Sequence, residues 1–159
     1  IGGIVVRKYL MLNGSNMNLL GMREPVYGTV TMVEVEERLT KLAKEYGVEV
    51  EFFQSNHEGE IVDKLQELRG KVDGIFFNPA AFTFYSYAIR DAITACNHRV
   101  IEVHISNVHA REPFRHTSVL APIIEGQIVG LGVKGYEIAF RYLVETDIER
   151  DNEKNNIFN

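Results

Sequence analysis

The segment KYLMLNGSNMNLLGMREPVYGTVTMVEVEERLTKLAKEYG, residues 8–47, contains a complete unit of strand, loop and helix. The apolar run at residues 8–12 predicts the first β-strand. Thr31 and Glu34 have the spacing of a capping box, which marks the start of a helix, and Gly47 is typical of a helix end. The apolar face of this helix consists of Met32, Val35, Leu39, Leu42, Ala43 and Tyr46. This order of elements is the repeating unit of an α/β fold.

The alternation of strand and helix continues through the rest of the chain. Residues 48–53 alternate apolar side chains with Glu49 and Glu51, as expected of a half-exposed edge strand. Short apolar runs predict three further strands at residues 74–77, 100–106 and 127–131. Short apolar strands between helices favour a parallel sheet that is covered on both faces. The sequence therefore predicts an α/β domain with a five-stranded parallel sheet.

The remaining helices are predicted from apolar residues at helical spacing. One helix contains Ile61, Val62, Leu65 and Leu68 and ends near Gly70. The next is predicted at residues 85–96, with Ala88, Ile89, Ala92, Ile93 and Cys96 pointing inward. The last helix has Tyr136, Ala139, Phe140 and Leu143 on one face.

The chain is long enough for one domain with a sizeable core, because it has 159 residues of which 45% are hydrophobic. We expect this domain at residues 8–145, preceded by an N-terminal extension at residues 1–7. The extension lacks the basic start and small-residue cleavage site of a signal peptide. The tail at residues 146–159 is polar and charged, so we expect it to fray unless it forms a docked helical extension or contacts a neighbouring subunit.

The composition argues against several classes of partner. A net charge of −5 provides no general attraction to nucleic acid. No apolar run approaches the roughly 20 residues that a membrane-spanning helix needs. The single cysteine, Cys96, excludes an internal disulfide and is typical of a reducing compartment such as the cytoplasm. No metal site is predicted, because metal-ligand spacing is missing around the scattered histidines, which are His57, His98, His109 and His116.

The loops after the strands are the candidate binding site, because ligands of a parallel α/β sheet bind beyond the carboxyl ends of its strands. In the fourth strand, Glu102, His104 and Ser106 are spaced by two residues and therefore point to the same face. A carboxylate beside an imidazole fixes the imidazole tautomer and stabilises its protonated form. A purely structural pair fits the spacing as well, and the position at a strand end favours a functional one.

The long first loop, residues 13–28, could hold a phosphate group or act as a lid. It lacks both of the phosphate-binding patterns G-x-G-x-x-G and G-x-x-x-x-G-K-[ST]. Long irregular loops in compact domains are usually lids or binding loops, and Arg23 and Tyr27 favour this interpretation over a plain surface loop. Elsewhere, Asn78 at a strand end has the pattern of a turn residue, and Asp91 that of a solvated helix carboxylate.

Four segments carry a resemblance to a known family. They are NGSNMNLLGMREPVYG at residues 13–28, QSNHEGE at 54–60, EVHISNVHAREPFR at 102–115 and IVGLGVKGYEIAFRYL at 128–143. Together they resemble the type II 3-dehydroquinate dehydratases from about residue 8 to residue 144, with the motifs in order. The resemblance implies a flavodoxin-like three-layer sandwich whose trimers assemble into a dodecamer. It also implies an enzyme that uses neither a metal nor a cofactor.

The reaction that the resemblance implies is the reversible loss of water from 3-dehydroquinate to give 3-dehydroshikimate, through an enolate. This step belongs to both aromatic biosynthesis and quinate breakdown. Tyr27 would be the base, with Arg23 and Arg111 as the charges that make it a phenolate. An ordinary tyrosine has a pKa of about 10 and is ionised roughly once in a thousand molecules at pH 7, so nearby cations are needed. His104, held by Glu102, would protonate the departing hydroxyl.

The resemblance also assigns the groups that would hold the substrate. Asn16 would help to stabilise the enolate, because an amide can donate a hydrogen bond without transferring a proton. Arg115 would line the far side of the ring together with Asp91 from a neighbouring subunit. A lid that carries the base explains the first loop. The substrate carboxylate and its hydroxyl would be bound by Asn78, Ile105 and Ser106.

Three positions depart from the family pattern. Ser15 replaces a proline, and the lid is one residue shorter within residues 23–27. In NPAAFTFYS, Phe84 stands where the family pattern N-P-[GA]-A-[YF]-T-H-[TS] has a substrate-binding histidine. A phenylalanine cannot donate a hydrogen bond, and a buried hydroxyl without a partner costs about 1–3 kcal/mol. Tyr85 and His116 are candidates for the missing donor.

The sequence therefore supports a dehydratase and leaves two alternatives open. The first alternative, suggested by Phe84, is a homologue that acts on a related cyclic hydroxy acid or binds one without turnover. The second is a non-catalytic module that binds a nucleotide or a flavin on the same fold.

Overall fold

A parallel β-sheet lies at the centre of residues 5–157, the part of the chain that this computed structural model describes. Its strands are β1 (Lys8–Asn13), β2 (Glu49–Gln54), β3 (Gly74–Asn78), β4 (Val100–His104) and β5 (Gly126–Val129), in the spatial order β2-β1-β3-β4-β5. Neighbouring strands are parallel throughout these residues. The predicted five-stranded parallel sheet is confirmed, and β2 lies at its edge, as predicted.

The helices α1 (Met32–Tyr46), α2 (Glu58–Glu67), α3 (Tyr87–Ala95) and α4 (Lys134–Ile157) cover both faces of the sheet. Successive side chains of a strand point to opposite faces. Tyr9 and Met11 of β1 therefore pack with α1 and α4, whereas Leu10 and Leu12 pack with α2 and α3. The result is the predicted three-layer, flavodoxin-like sandwich, with the carboxyl ends of all strands at one edge.

The boundaries of α1 agree with its sequence signals. Thr31 and Glu34 form both hydrogen bonds of the predicted capping box. Gly47 adopts the left-handed conformation, with φ of 70°, which a glycine reaches without a steric penalty. The predicted apolar face is the one that packs on the sheet.

Other boundaries differ from the prediction, among them that of β5, which ends at Val129 rather than at residue 131. Residues Ala80–Phe84 form a 3-10 turn, and Ser86 caps the following helix by accepting a hydrogen bond from the backbone N–H of Ile89. α3 therefore begins at Tyr87 rather than at residue 85, and Ala88 is exposed rather than inward. β4 ends at His104, so Ser106 lies in the loop beyond it.

The polar tail is a helical extension, because α4 continues to Ile157. The extension is anchored at the amino ends of the strands. Arg7 donates to Asp151 at 2.7 Å and to Asp73 at 3.0 Å. The buried carboxylate of Asp147 accepts from the hydroxyl of Tyr9 at 2.6 Å and from Arg99 at 2.9 Å. The predicted extensions also include residues 1–4 and 158–159, which lie outside the described residues.

Candidate active site

A cavity of about 140 Å³ opens at the carboxyl ends of β1, β3 and β4. The loops that follow these strands provide its walls, which is where a parallel sheet was expected to bind its ligand. Within residues 5–157, no helix has the length and apolar character to span a membrane. The same residues contain no group of three or more side chains arranged to hold a metal ion. The polar members of the lining are Ser15, Asn16, Arg23, Glu24, Tyr27, Asn78, His104, Ser106, Arg111 and Arg115.

Two arginines surround the phenol of Tyr27. Arg111 donates a hydrogen bond of 2.8 Å from Nη1 to the Tyr27 hydroxyl oxygen. The guanidinium carbon of Arg23 lies 3.8 Å from the centroid of the Tyr27 ring, and that of Arg111 lies 5.3 Å from it. Both cations therefore lie against the Tyr27 phenol, Arg111 at its oxygen and Arg23 over its ring. The first loop, which is the predicted lid, and the loop after β4 therefore meet at the Tyr27 hydroxyl.

Arg111 also fixes the loop after β4. Its Nη1 donates to the hydroxyl oxygen of Ser106 at 2.9 Å. Because that oxygen accepts from Arg111, the Ser106 hydroxyl hydrogen is available for a ligand. The buried side chains of Ile105 and Ser106 line the same wall of the cavity.

A buried ion-pairing network lies behind His104. The ring nitrogen Nε2 of His104 is hydrogen-bonded to Glu102, whose side chain is fully buried. Thr83 and Ser118 donate their hydroxyls to the two oxygens of Glu102, at 2.7 Å and 2.8 Å. Burial by itself raises the pKa of Glu102, but the hydrogen bonds from His104, Thr83 and Ser118 outweigh burial and hold that pKa below its usual range. Glu102 is thus an anion that orients the imidazole at neutral pH.

Asn78 is held by a second buried network. Its Nδ2 donates to the hydroxyl oxygen of Tyr136 at 2.9 Å, and that hydroxyl donates to Asn13 at 2.6 Å. The backbone N–H of Ala80 donates to the side-chain oxygen Oδ1 of Asn78 at 3.0 Å. Burial raises the pKa of Tyr136 well above its usual value, so the hydroxyl keeps the proton that it donates. These contacts fix the Asn78 amide at the cavity wall.

Asn16 enters the cavity from the loop after β1. Its backbone is in the left-handed region, with φ of 67°. Its backbone N–H donates to Oδ1 of Asn56 at 2.9 Å. Ser15, which replaces the family's proline, precedes it and also lines the cavity.

One wall of the cavity is aromatic. The Phe84 ring lies 6.3 Å from the His104 ring, between centroids, at an angle of 19°. Phe114 meets Phe84 edge-on at 5.6 Å, and the Arg115 guanidinium lies 4.6 Å from the Phe114 ring. Tyr85, a candidate for the missing donor, is 57% exposed and lines no part of this cavity.

His116, the other candidate donor, also lies outside the active-site cavity. It lines an adjoining cavity of about 250 Å³ behind Phe84 and His104. Its Nε2 lies 3.1 Å from the backbone carbonyl oxygen of Arg111. Neither candidate therefore replaces the histidine at the position of Phe84.

The cavity brings together ten of the twelve predicted site residues. The two exceptions are Glu102, which lies behind His104, and Asp91, which is exposed on α3. Asp91 was expected to act from a neighbouring subunit. Sequence reasoning missed Thr83, Ser118, Tyr136, Asn13 and Asn56, which hold the predicted residues in place. Only Asn13 and Asn56 lie at or just after a strand end, whereas Thr83, Ser118 and Tyr136 lie in a turn, a loop and a helix that carried no such signal.

Comparisons with known proteins find similarity over most of the chain. Residues 7–144 match the sequence model of the family described as Dehydroquinase class II. A 3-dehydroquinate dehydratase of Anoxybacillus flavithermus is 57% identical over 139 residues, which cover 87% of this chain and 94% of that protein. The 3-dehydroquinate dehydratase of Bacillus subtilis is 50% identical over 137 residues, covering 86% of this chain and 93% of that protein.

Solved structures show the same similarity. The crystal structure of a type II dehydroquinase from Butyrivibrio crossotus superposes with a TM-score of 0.84 at 50% identity, covering 87% of this chain and 97% of that one. A 3-dehydroquinate dehydratase-like protein from Bifidobacterium longum superposes with a TM-score of 0.64 at 30% identity, covering 89% and 98% of the two chains.

Proposed function

The chain belongs to the class II dehydroquinase family, and we propose that it catalyses the reversible dehydration of 3-dehydroquinate to 3-dehydroshikimate. One observation carries this proposal. A phenol flanked by two guanidinium groups shares one small cavity with an imidazole that is bound to a buried carboxylate. The first group suits a base and the second an acid, which are the two partners that loss of water requires.

In the proposed mechanism, Tyr27 acts as a phenolate and removes a proton from the carbon beside the ketone. The electrons of the broken C–H bond move to the ketone oxygen and form an enolate. Arg23 and Arg111 stabilise the phenolate before transfer. The enolate then re-forms the ketone C=O, its electrons form the new C=C bond, and the C–O bond to the hydroxyl breaks. His104 donates its proton to this hydroxyl, which leaves as water, while Glu102 orients the imidazole.

The substrate would be bound by preorganised polar groups. Asn16 would donate its amide to the enolate oxygen, where charge develops. Asn78, already fixed by Tyr136, and the hydroxyl of Ser106 would bind the carboxylate and its neighbouring hydroxyl. The guanidinium groups make the cavity attractive to a carboxylic acid, although the whole chain carries a net charge of −5.

The aromatic wall favours a second candidate function. Phe84 offers no hydrogen bond to a hydroxyl of the substrate ring. Next to Phe84, the cavity lining provides no tyrosine and no histidine besides His104. The chain would then act on, or only bind, a related cyclic hydroxy acid whose ring lacks a hydroxyl there.

A direct assay tests the proposal. The purified protein is incubated with 3-dehydroquinate, and the conjugated enone of the product is followed by its ultraviolet absorbance. We expect the absorbance to grow. If none grows at millimolar substrate, the dehydratase proposal is refuted and the second candidate is left.

We also propose an oligomeric state for the protein. We expect trimers that assemble into a dodecamer, with Asp91 completing the site of a neighbouring subunit. Two exposed aromatic side chains, Tyr87 on α3 and Phe114 beside Phe84, support a subunit contact. Light scattering after size exclusion would test the dodecamer.

The buried free thiol of Cys96 supports a reducing compartment such as the cytoplasm.

A further inference from the structure

The segment QSNHEGE at residues 54–60 lies outside the active-site cavity, although it directly follows β2 beside the first loop. β1 and β2 are paired so that Asn13 lies opposite Gln54. Beyond this pair the segments that follow β1 and β2 separate, and the loop after β1 leads towards the cavity. Two side chains of the segment, those of Gln54 and Asn56, lie next to the backbone of residues 14–16.

The backbone of Asn16 needs an external support. Its φ of 67° and ψ of 0° place it in the left-handed region, which asparagine adopts more often than most residues but at some cost. Its own side chain makes no capping hydrogen bond to the following turn. The Asn16 amide is thus not used locally and is available for a ligand in the cavity.

Asn56 provides that support. Its Oδ1 accepts the backbone N–H of Asn16 at 2.9 Å and also accepts Nε2 of Gln54 at 3.1 Å. The same Nε2 donates to the backbone carbonyl oxygen of Gly14 at 3.2 Å. Gln54 and Asn56 together hold the first turn of the loop from one side, without touching the cavity themselves.

We infer that Asn56 is a positioning residue, which fixes the backbone of Asn16 so that the Asn16 amide points at the enolate oxygen. The inference rests on the proposed function, because it assigns a purpose to the amide of Asn16. Asn16 is exposed, so water can replace the lost acceptor and the fold is little affected when Asn56 is changed. A small displacement of a donor, by contrast, reduces the rate of the chemical step strongly.

Kinetics of matched variants test this role. Asn56→Ala should lower kcat about tenfold and leave KM within about twofold, since the donor acts mainly in the transition state. Asn56→Asp keeps an acceptor for both donors and should restore kcat to within about threefold of the wild type. In a protein that already carries Asn16→Ala, adding Asn56→Ala should reduce kcat by a further factor of less than about two. The reason is that Asn56 acts through Asn16, which is then absent. Equal losses in both backgrounds would overturn the inference.

A structural measurement decides the same question without turnover. In a crystal structure of Asn56→Ala, the φ of Asn16 should leave the positive region and its amide should leave the cavity. In Asn56→Asp both should stay as in the wild type. An unchanged Asn16 in Asn56→Ala would refute the positioning role even if the wild type did not dehydrate 3-dehydroquinate, so the two proposals fail separately.

Discussion

Arg111 donates a hydrogen bond of 2.8 Å to the phenol oxygen of Tyr27, although the two residues lie 84 positions apart in the sequence. This contact joins the lid after β1 to the loop after β4 across the cavity. It places a permanent cation at the atom that would carry the negative charge of the base. In the proposed mechanism, the lid therefore completes the site only where it meets the loop after β4.

The first prediction concerns the base. Tyr27→Phe removes the phenol oxygen and should lower kcat by at least about 1000-fold, near the upper range for loss of a general base. Thermal unfolding and size exclusion should be unchanged, because the ring still packs between Arg23 and Arg111. The enone absorbance assay measures the rate. A residual rate within about tenfold of the wild type would exclude Tyr27 as the base.

The second prediction concerns Glu102. Its folded-state pKa is lowered, so its ionised form contributes stability above the ordinary value of 4.5, and this contribution is lost as the pH falls through the lower folded-state pKa. Glu102→Gln should destabilise the fold by about 1–3 kcal/mol at pH 7 and by less at acidic pH. It should also lower kcat about 10–100-fold, because His104 loses its anionic partner.

Urea unfolding at pH 7 and at about pH 3.5 measures the difference in stability between wild type and variant. Glu67→Gln is a suitable control, because Glu67 is a mostly exposed carboxylate on α2 and should change stability by less than about 0.5 kcal/mol. A stability difference that is the same at both pH values would show that Glu102 does not need its charge.

The third prediction concerns Phe84. Phe84→His introduces a hydrogen-bond donor at the aromatic wall and should lower KM for 3-dehydroquinate about tenfold, with a smaller change in kcat. Phe84→Leu serves as a control. It removes the aromatic ring without adding a hydrogen-bond donor, so it should not lower KM. If Phe84→His left KM unchanged or raised it, another group would already serve the substrate hydroxyl.

The fourth prediction concerns the anchor of the C-terminal extension. Asp147→Ala removes the buried partner of Tyr9 and Arg99 and should lower the free energy of unfolding by about 3 kcal/mol. The value of kcat/KM should stay the same, because Asp147 lies at the opposite end of the sheet from the cavity. Glu149→Ala, on the exposed face of the same helix, should cost less than about 0.5 kcal/mol. A large loss of activity in the folded Asp147→Ala protein would contradict this separation.

Sequence reasoning recovered the sheet because the strands are short segments with apolar or alternating patterns, and because β1, β2, β3 and β5 each precede an α-helix. The helix starts were less regular. The capping box of Thr31 and Glu34 gave the start of α1, but the 3-10 turn at Ala80–Phe84 displaced the start of α3 and left Ala88 in solvent. A turn of this kind has no apolar period of its own to reveal it.

The site was recovered only in part for a different reason. The residues that line the cavity lie in continuous motifs, whereas those that hold them are joined by contacts between distant positions. Tyr136 lies 58 residues from Asn78 and 123 residues from Asn13. Thr83 and Ser118 reach Glu102 from two different loops. No spacing rule connects such residues, because only the folded chain makes them neighbours.

The anchor at Asp147 lies outside the matched family segment, which ends at residue 144. It anchors the amino end of β1, and the carboxyl end of the same strand leads into the cavity. In a cooperatively folding domain, stabilisation gained at one place offsets losses at any other. Stability contributed at the Asp147 anchor therefore lets the chain keep its fold when a residue of the distant cavity wall is exchanged for a less stabilising one.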